Sequence, residues 1–192
     1  MRERFEQLLS SVQREGIDKL LEFIRKSDFY TAPASTKHHG AYEGGLLEHS
    51  LNVFDCLVKK FTENSVWVET LFNIDIDTIT IVSLLHDICK TYYYTVDYRN
   101  TKDENGQWIK VPFYTVDDRI PYGHGDKSVM MIEEYIKLKP VERYAIRWHM
   151  GPYEGERQWG TLSLAMQKYP LILALHEADM EATYLIEKRN DT

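Results

Sequence analysis

Residues 81–90, Ile81-Val82-Ser83-Leu84-Leu85-His86-Asp87-Ile88-Cys89-Lys90, decide how this chain folds. Ile81, Leu84, Leu85 and Ile88 recur at the three- and four-residue spacing of a helix that hides a face. The spacing predicts a helix capped by Asp75 or Asp77 and running through to about Cys89. His86 then lies among apolar residues on every turn, with Asp87 beside it. An uncompensated carboxylate in such surroundings costs at least several kcal/mol. An ion pair, a hydrogen-bond network or a metal must offset it.

Upstream, Leu46, Ser50, Val53, Phe54, Leu57, Val58 and Phe61 share one face of a helix over about 45–62. Before it, TAPASTKHHGAYEGG (31–45) reads as a loop from its Pro, Gly, Ser and Thr content. Residues 1–30 form one or two amphipathic helices, with stripes Phe5/Leu8/Leu9/Val12 and Ile17/Leu20/Leu21/Ile24 separated by Gly16. Downstream, the aromatic and β-branched runs 92–98 and 108–116 flank the turn formers NTKDENGQ. They predict a β-hairpin within 91–118, either a surface flap or a lid and substrate wall. Helical patterns return over about 124–138, 140–150 and 170–188, with Pro140 and Pro170 in first turns. The expected fold is a single, mostly all-α domain over 1–192, a helical bundle with one small inserted hairpin.

Composition narrows the function. A chain of 192 residues, 43% hydrophobic and 28% charged, is ordinary for a soluble globular domain and long enough for a full core. No apolar run approaches the roughly 18 residues of a membrane span, and the charged N-terminus MRERFEQLLSSVQRE has no signal-peptide core. Two cysteines without a CxxC spacing read as reduced thiols, which leads us to expect a cytoplasmic protein. A net charge of −7 argues against a stand-alone binder of long nucleic acid, although bound cations would add charge that this count omits.

Among the seven histidines, His49 is flanked by Leu46 and Val53, and the carboxylate Asp179 lies on the face of Leu175, Ala178 and Ala182. Imidazole and carboxylate together suit a divalent ion such as Mn²⁺, Fe²⁺ or Mg²⁺. The lack of thiol ligands argues against structural zinc. Adjacent helical residues point about 100° apart, so His86 and Asp87 converge on one ion only if the carboxylate bends inward. His-Asp alone is a weak signal; the ordered set His49, His86-Asp87, Asp179 is much stronger.

That set resembles the HD-domain phosphohydrolase superfamily over residues 38–183. HHGAYEGGLLEHS (38–50) resembles the entry motif of bacterial HD-type 3′-to-5′ exoribonucleases, and LLHDICK (84–90) the HDxxK segment. GHGDKS (123–128), RWHMG (147–151) and LHEADMEA (175–182) follow in order. Cys89 stands where glycine is common, a change expected to affect packing more than ligation. The resemblance implies that His49, His86, Asp87 and Asp179 ligate a metal. His124 and His149 match the expanded version, in which Asp87 bridges two ions (Mn, Fe, Mg, Ni or Co) about 3.5–4 Å apart. His124 could instead be a loop histidine, and His149 a packed helix-end residue.

The implied chemistry is hydrolysis of a phosphate ester or anhydride by metal-activated water, with Asp87 and Lys90 catalytic. Lys90 would bind a phosphate oxygen or hold Asp87, unless it is an exposed helix-end lysine. His38 and His39 are candidates for phosphate contact or proton donation, or are loop surface. Arg147 is a candidate phosphate clamp by residue type, and His176 a supporting residue behind the ligands. The expected substrate is a small phosphorylated molecule of the nucleotide type. The alternatives are a 3′-to-5′ exonuclease, for which Tyr92, Tyr93, Tyr94 and Tyr98 could stack bases or merely pack the hairpin, and a non-catalytic metal-binding sensor or scaffold. Oligomeric state is open.

Overall fold

Two amphipathic helices open the chain, α1 (Arg2–Ser11) and α2 (Ile17–Lys26), and they bury Phe5, Leu9, Leu20, Leu21 and Ile24. The computed structural model describes residues 1–37 and 39–187, so the call on His38 lies outside the described residues. After the loop come the long α3 (Gly45–Glu63) and the short α4 (Ser65–Thr70), whose cap Asn64 accepts from Val66 and Trp67 amides. α5 (Ile76–Leu85) follows, capped by Asp75, whose side chain accepts from the Thr78 amide. Every residue of α5 from Thr78 to Leu85 is buried. A helix apolar on all sides belongs at the centre of a domain, and α5 packs on α1, α3 and α7 (Pro140–Trp148).

The chain leaves α-helical geometry where the sequence predicts that it continues. α5 stops at Leu85, His86 is its C-cap, Asp87 adopts φ −108°, ψ 18°, and Ile88–Lys90 form a 3₁₀ turn. This break answers the 100° problem: the dyad sits at a bend, not on a regular helical surface.

The hairpin pairs β1 (Tyr94–Lys102) with β2 (Trp108–Val116), antiparallel, from Tyr94 opposite Val116 to Lys102 opposite Trp108. β1 runs further than its β-branched pattern, and the turn is organised at Asp103, whose carboxylate accepts the amides of Asn105 and Gln107, with Gly106 in the left-handed region. Exposed Tyr98 lies midway along β1, opposite Pro112, and exposed Trp108 lies at the tip, while Tyr94 at the base donates its hydroxyl to the Ala34 carbonyl.

α6 (His124–Glu133), α7, α8 (Trp159–Lys168) and α9 (Leu171–Glu181) complete the helices. α6 and α9 are shorter than predicted, and α4 and α8 lack a strong enough stripe to be foreseen. α9 ends at Glu181 and passes into a π turn, Ala182–Ile186; residue 188, the predicted end, lies outside the described residues. A part-buried ion pair ties the segment after α1 to α7: Arg14 donates two bonds to buried Glu142, which also accepts from Thr78 Oγ1 and the Lys139 amide. The fold is thus a mostly helical bundle with one small antiparallel hairpin. Among the described residues no helix is long and apolar enough to cross a membrane.

Candidate metal centre

Four elements bring the predicted residues together: α3 supplies His49, the bend after α5 His86 and Asp87, the end of α7 His149, and α9 Asp179. All five are buried. His49 Nε2 lies 3.2 Å from Asp179 Oδ1, 3.3 Å from His86 Nε2 and 3.7 Å from Asp87 Oδ2. His86 Nε2 is 3.5 Å from Asp87 Oδ2, and His149 Nε2 is 3.5 Å from Asp87 Oδ1.

The far side of each ring explains its orientation. His86 Nδ1 lies 2.8 Å from the Ser83 carbonyl oxygen, and His149 Nδ1 2.7 Å from that of Ile146. A carbonyl only accepts, so each Nδ1 carries a hydrogen and each Nε2 is the nitrogen turned inward. His49 Nδ1 is 2.9 Å from Glu187 Oε1, which also accepts from Asn52. A metal-ligating histidine characteristically has a carboxylate or carbonyl behind it.

These donors fit a divalent ion. N and O ligands lie about 2.0–2.2 Å from such an ion, so two of them on one ion stand about 3.0–3.6 Å apart. The closest approaches here, 3.2, 3.3 and 3.5 Å, match such edges. Among the described residues, Asp87 Oδ1 and His149 Nε2 are buried with no closer polar partner than each other at 3.5 Å, as expected of groups shaped for a cation.

The electrostatics show what the cluster does without one. Burial pushes the His49 imidazole down, but its bonds to Asp179 and Glu187 outweigh that and raise it to about 10. A proton therefore rests between the two carboxylates. Burial pushes His149 down and Asp87 more than restores it, so it is raised. Burial dominates at His86, lowered to about 4. Burial pushes the Asp87 carboxyl up, yet Lys90 and then His86 hold it well below its usual range.

Lys90 is not an exposed helix-end residue. It is buried, with Nζ 2.6 Å from Asp87 Oδ2. Asp87, Lys90, Asp179 and His39 line a cavity of about 210 Å³, walled by Met150, Tyr153, Met180, Thr183 and Tyr184. The His39 ring packs against that of His49, at 4.9 Å between centroids; both its nitrogens are buried without partners among the described residues, and burial lowers it to about 4. His124 opens α6, with Nδ1 3.3 Å from Cys89 Sγ. His176 Nδ1 donates to the His149 carbonyl, and its ring lies under Gly151, where a Cβ would come within 2.7 Å of it. Arg147 is committed elsewhere: it pairs with Asp126 and Glu154 and stacks on Trp148.

Sequence reasoning missed Glu187. It follows Asp179 by eight residues, and the π turn between them defeats any 3.6-residue template; such turns are often found at functional sites. It also missed the exposed tyrosines Tyr153 and Tyr184, which line the cavity.

No family model and no solved structure matches this chain. The chain is similar to the dihydroneopterin 2′,3′-cyclic phosphate phosphodiesterase of Methanocaldococcus jannaschii, 38% identical over 65 residues, which are 33% of this chain and 24% of that protein. The chain thus spans about a quarter of that relative's length. This distant homology to a phosphodiesterase, together with a buried His/Asp cluster suited to a metal, is consistent with a metal-dependent phosphohydrolase.

Proposed function

We propose that the chain is a phosphohydrolase of the HD-domain kind, cleaving a phosphate ester or diester of a small nucleotide-type molecule. The observation that carries the reading is the convergence of the His49, His86 and His149 Nε2 atoms on the carboxylates of Asp87 and Asp179, each ring held from behind by an acceptor. In this reading His49, His86, Asp87 and Asp179 hold one divalent ion, and Asp87 reaches toward a second with His149 and His124. When bound, such ions polarise phosphoryl oxygens and make water nucleophilic at neutral pH.

The chain's own groups do the rest. Lys90 holds Asp87 in place and presents its ammonium to the cavity, where it neutralises a phosphoryl oxygen. His39, neutral at pH 7, offers a ring N–H to a second oxygen. Tyr153 and Tyr184 form a rim on which a planar ring can stack. The cavity is smaller than the roughly 300–1,000 Å³ of drug-sized sites, which suits a phosphoryl group and part of a sugar with the base at the rim. The relative's printed activity supports a cyclic phosphodiester as the first substrate to test.

The test loads purified protein with Mn²⁺ and assays 2′,3′-cyclic phosphates, mononucleotides, cyclic dinucleotides, dinucleoside polyphosphates and 3′-labelled RNA. Turnover of a small ester that stops on chelation supports the reading. Progressive shortening of the RNA would replace it with the exonuclease, and turnover of nothing would leave the sensor or scaffold.

A further inference from the structure

Cys89 stands apart from the other thiol. It lies in the 3₁₀ turn directly after Asp87 and is fully buried. Its amide donates to Ser128 Oγ on α6, which fastens this turn to the helix that begins with His124. Cys89 Sγ, a His124 ring nitrogen and an Asp87 carboxylate oxygen lie within 4.8 Å of one another.

The Nδ1 atoms of His49, His86, His149 and His176 all face oxygen acceptors, but that of His124 faces the Cys89 sulfur at 3.3 Å. A sulfur and a nitrogen bound to one ion at about 2.3 and 2.0 Å stand about 3.1–3.6 Å apart. Asp87 has an oxygen to offer: Oδ2 serves Lys90 and the His49–His86 side, while buried Oδ1 has, among the described residues, only the long 3.5 Å approach of His149 Nε2.

We propose that Cys89 is a thiolate ligand of the second ion, with His124 and Asp87. The inference rests on the metal reading above. It makes the two positions chemically unlike. The His49–His86–Asp179 side is all N and O, while the Cys89 side carries a soft donor that favours Zn²⁺, Co²⁺ or Fe²⁺ over Mg²⁺ and Mn²⁺. On ligation the S–H bond breaks, a sulfur–metal bond forms and the proton passes to the buffer.

The experiment titrates metal-free protein with Co²⁺ without oxygen, counting bound ions and recording near-ultraviolet absorption. A thiolate-to-cobalt charge-transfer band growing with the second equivalent is expected. Cys89→Ser should lose the band, and Cys56→Ser should keep it. Near-ultraviolet circular dichroism and melting of Cys89→Ser and Cys89→Ala report whether each variant is folded; if neither is, the wild-type spectrum still decides. Two bound ions with no such band would overturn the Cys89 assignment and leave the metal reading standing. Failure to bind Co²⁺ at all would overturn both.

Discussion

Ion binding at His49 should release a proton. In the metal-free protein this imidazole sits between Asp179 at 3.2 Å and Glu187 at 2.9 Å and is raised to about 10. An ion needs the Nε2 lone pair, so the proton must leave. At pH 7, about three units below that value, proton competition weakens binding by about a thousandfold, or about 4 kcal/mol. The slope is the sharper quantity: while His49 is protonated, apparent affinity rises about tenfold per pH unit. His86 and His39, both lowered to about 4, are already neutral and add nothing between pH 6 and 8. When a second ion enters, His149, raised as well, adds up to one further proton, and the Cys89 thiol proposed to ligate that ion adds another. Isothermal titration in two buffers of different ionisation enthalpy counts the protons directly. Glu187→Gln, which keeps an acceptor for Nδ1 but removes one of the two carboxylates holding the proton, should release fewer at pH 8. Binding with no proton released, or an affinity flat from pH 6 to 8, would refute the reasoning.

Asp87→Ala should lose metal and activity together and strand Lys90 as a buried unpaired cation, which costs about 3–5 kcal/mol; full metal content by elemental analysis would remove Asp87 from the site. Metal-free protein should weaken as pH falls from 6.5 toward 4. The unfolded chain then binds protons at His39 and His86 that the folded chain refuses, at most about 1.4 kcal/mol per pH unit for each group; denaturant midpoints that do not fall over this window would contradict it. Gly125→Ala places a Cβ 2.1 Å from the Arg147 carbonyl oxygen, so α6 and α7 must separate. The expected cost is about 1–3 kcal/mol, a fall in Tm of roughly 2–12 °C, read by calorimetry.

Much of the site was legible in the linear order of residues. His49, His86, Asp87 and Asp179 stood out because each is a polar side chain in an apolar helical pattern, and such a residue needs a partner. Their spacing also drew the resemblance to HD-domain proteins. The hairpin was legible from alternation and turn chemistry, except that Asp103 moved the turn three residues onward. α4 and α8 were not, since short or weakly striped helices form by docking on what is already folded.

The sequence by itself therefore determined a mostly helical chain with a hairpin, and which buried polar residues required an explanation. Local periodicity is a property of neighbours in the chain, so it can be read there. Only the tertiary structure decided that the dyad lies at a bend, that Glu187 braces His49 across a π turn, that Lys90 is buried against Asp87, and that Arg147 is committed to other carboxylates. It alone turned Cys89 from a packing residue into a neighbour of His124. Each of these depends on which side chains meet from distant segments, and on caps and turns that depart from regular geometry, and no spacing rule carries that information.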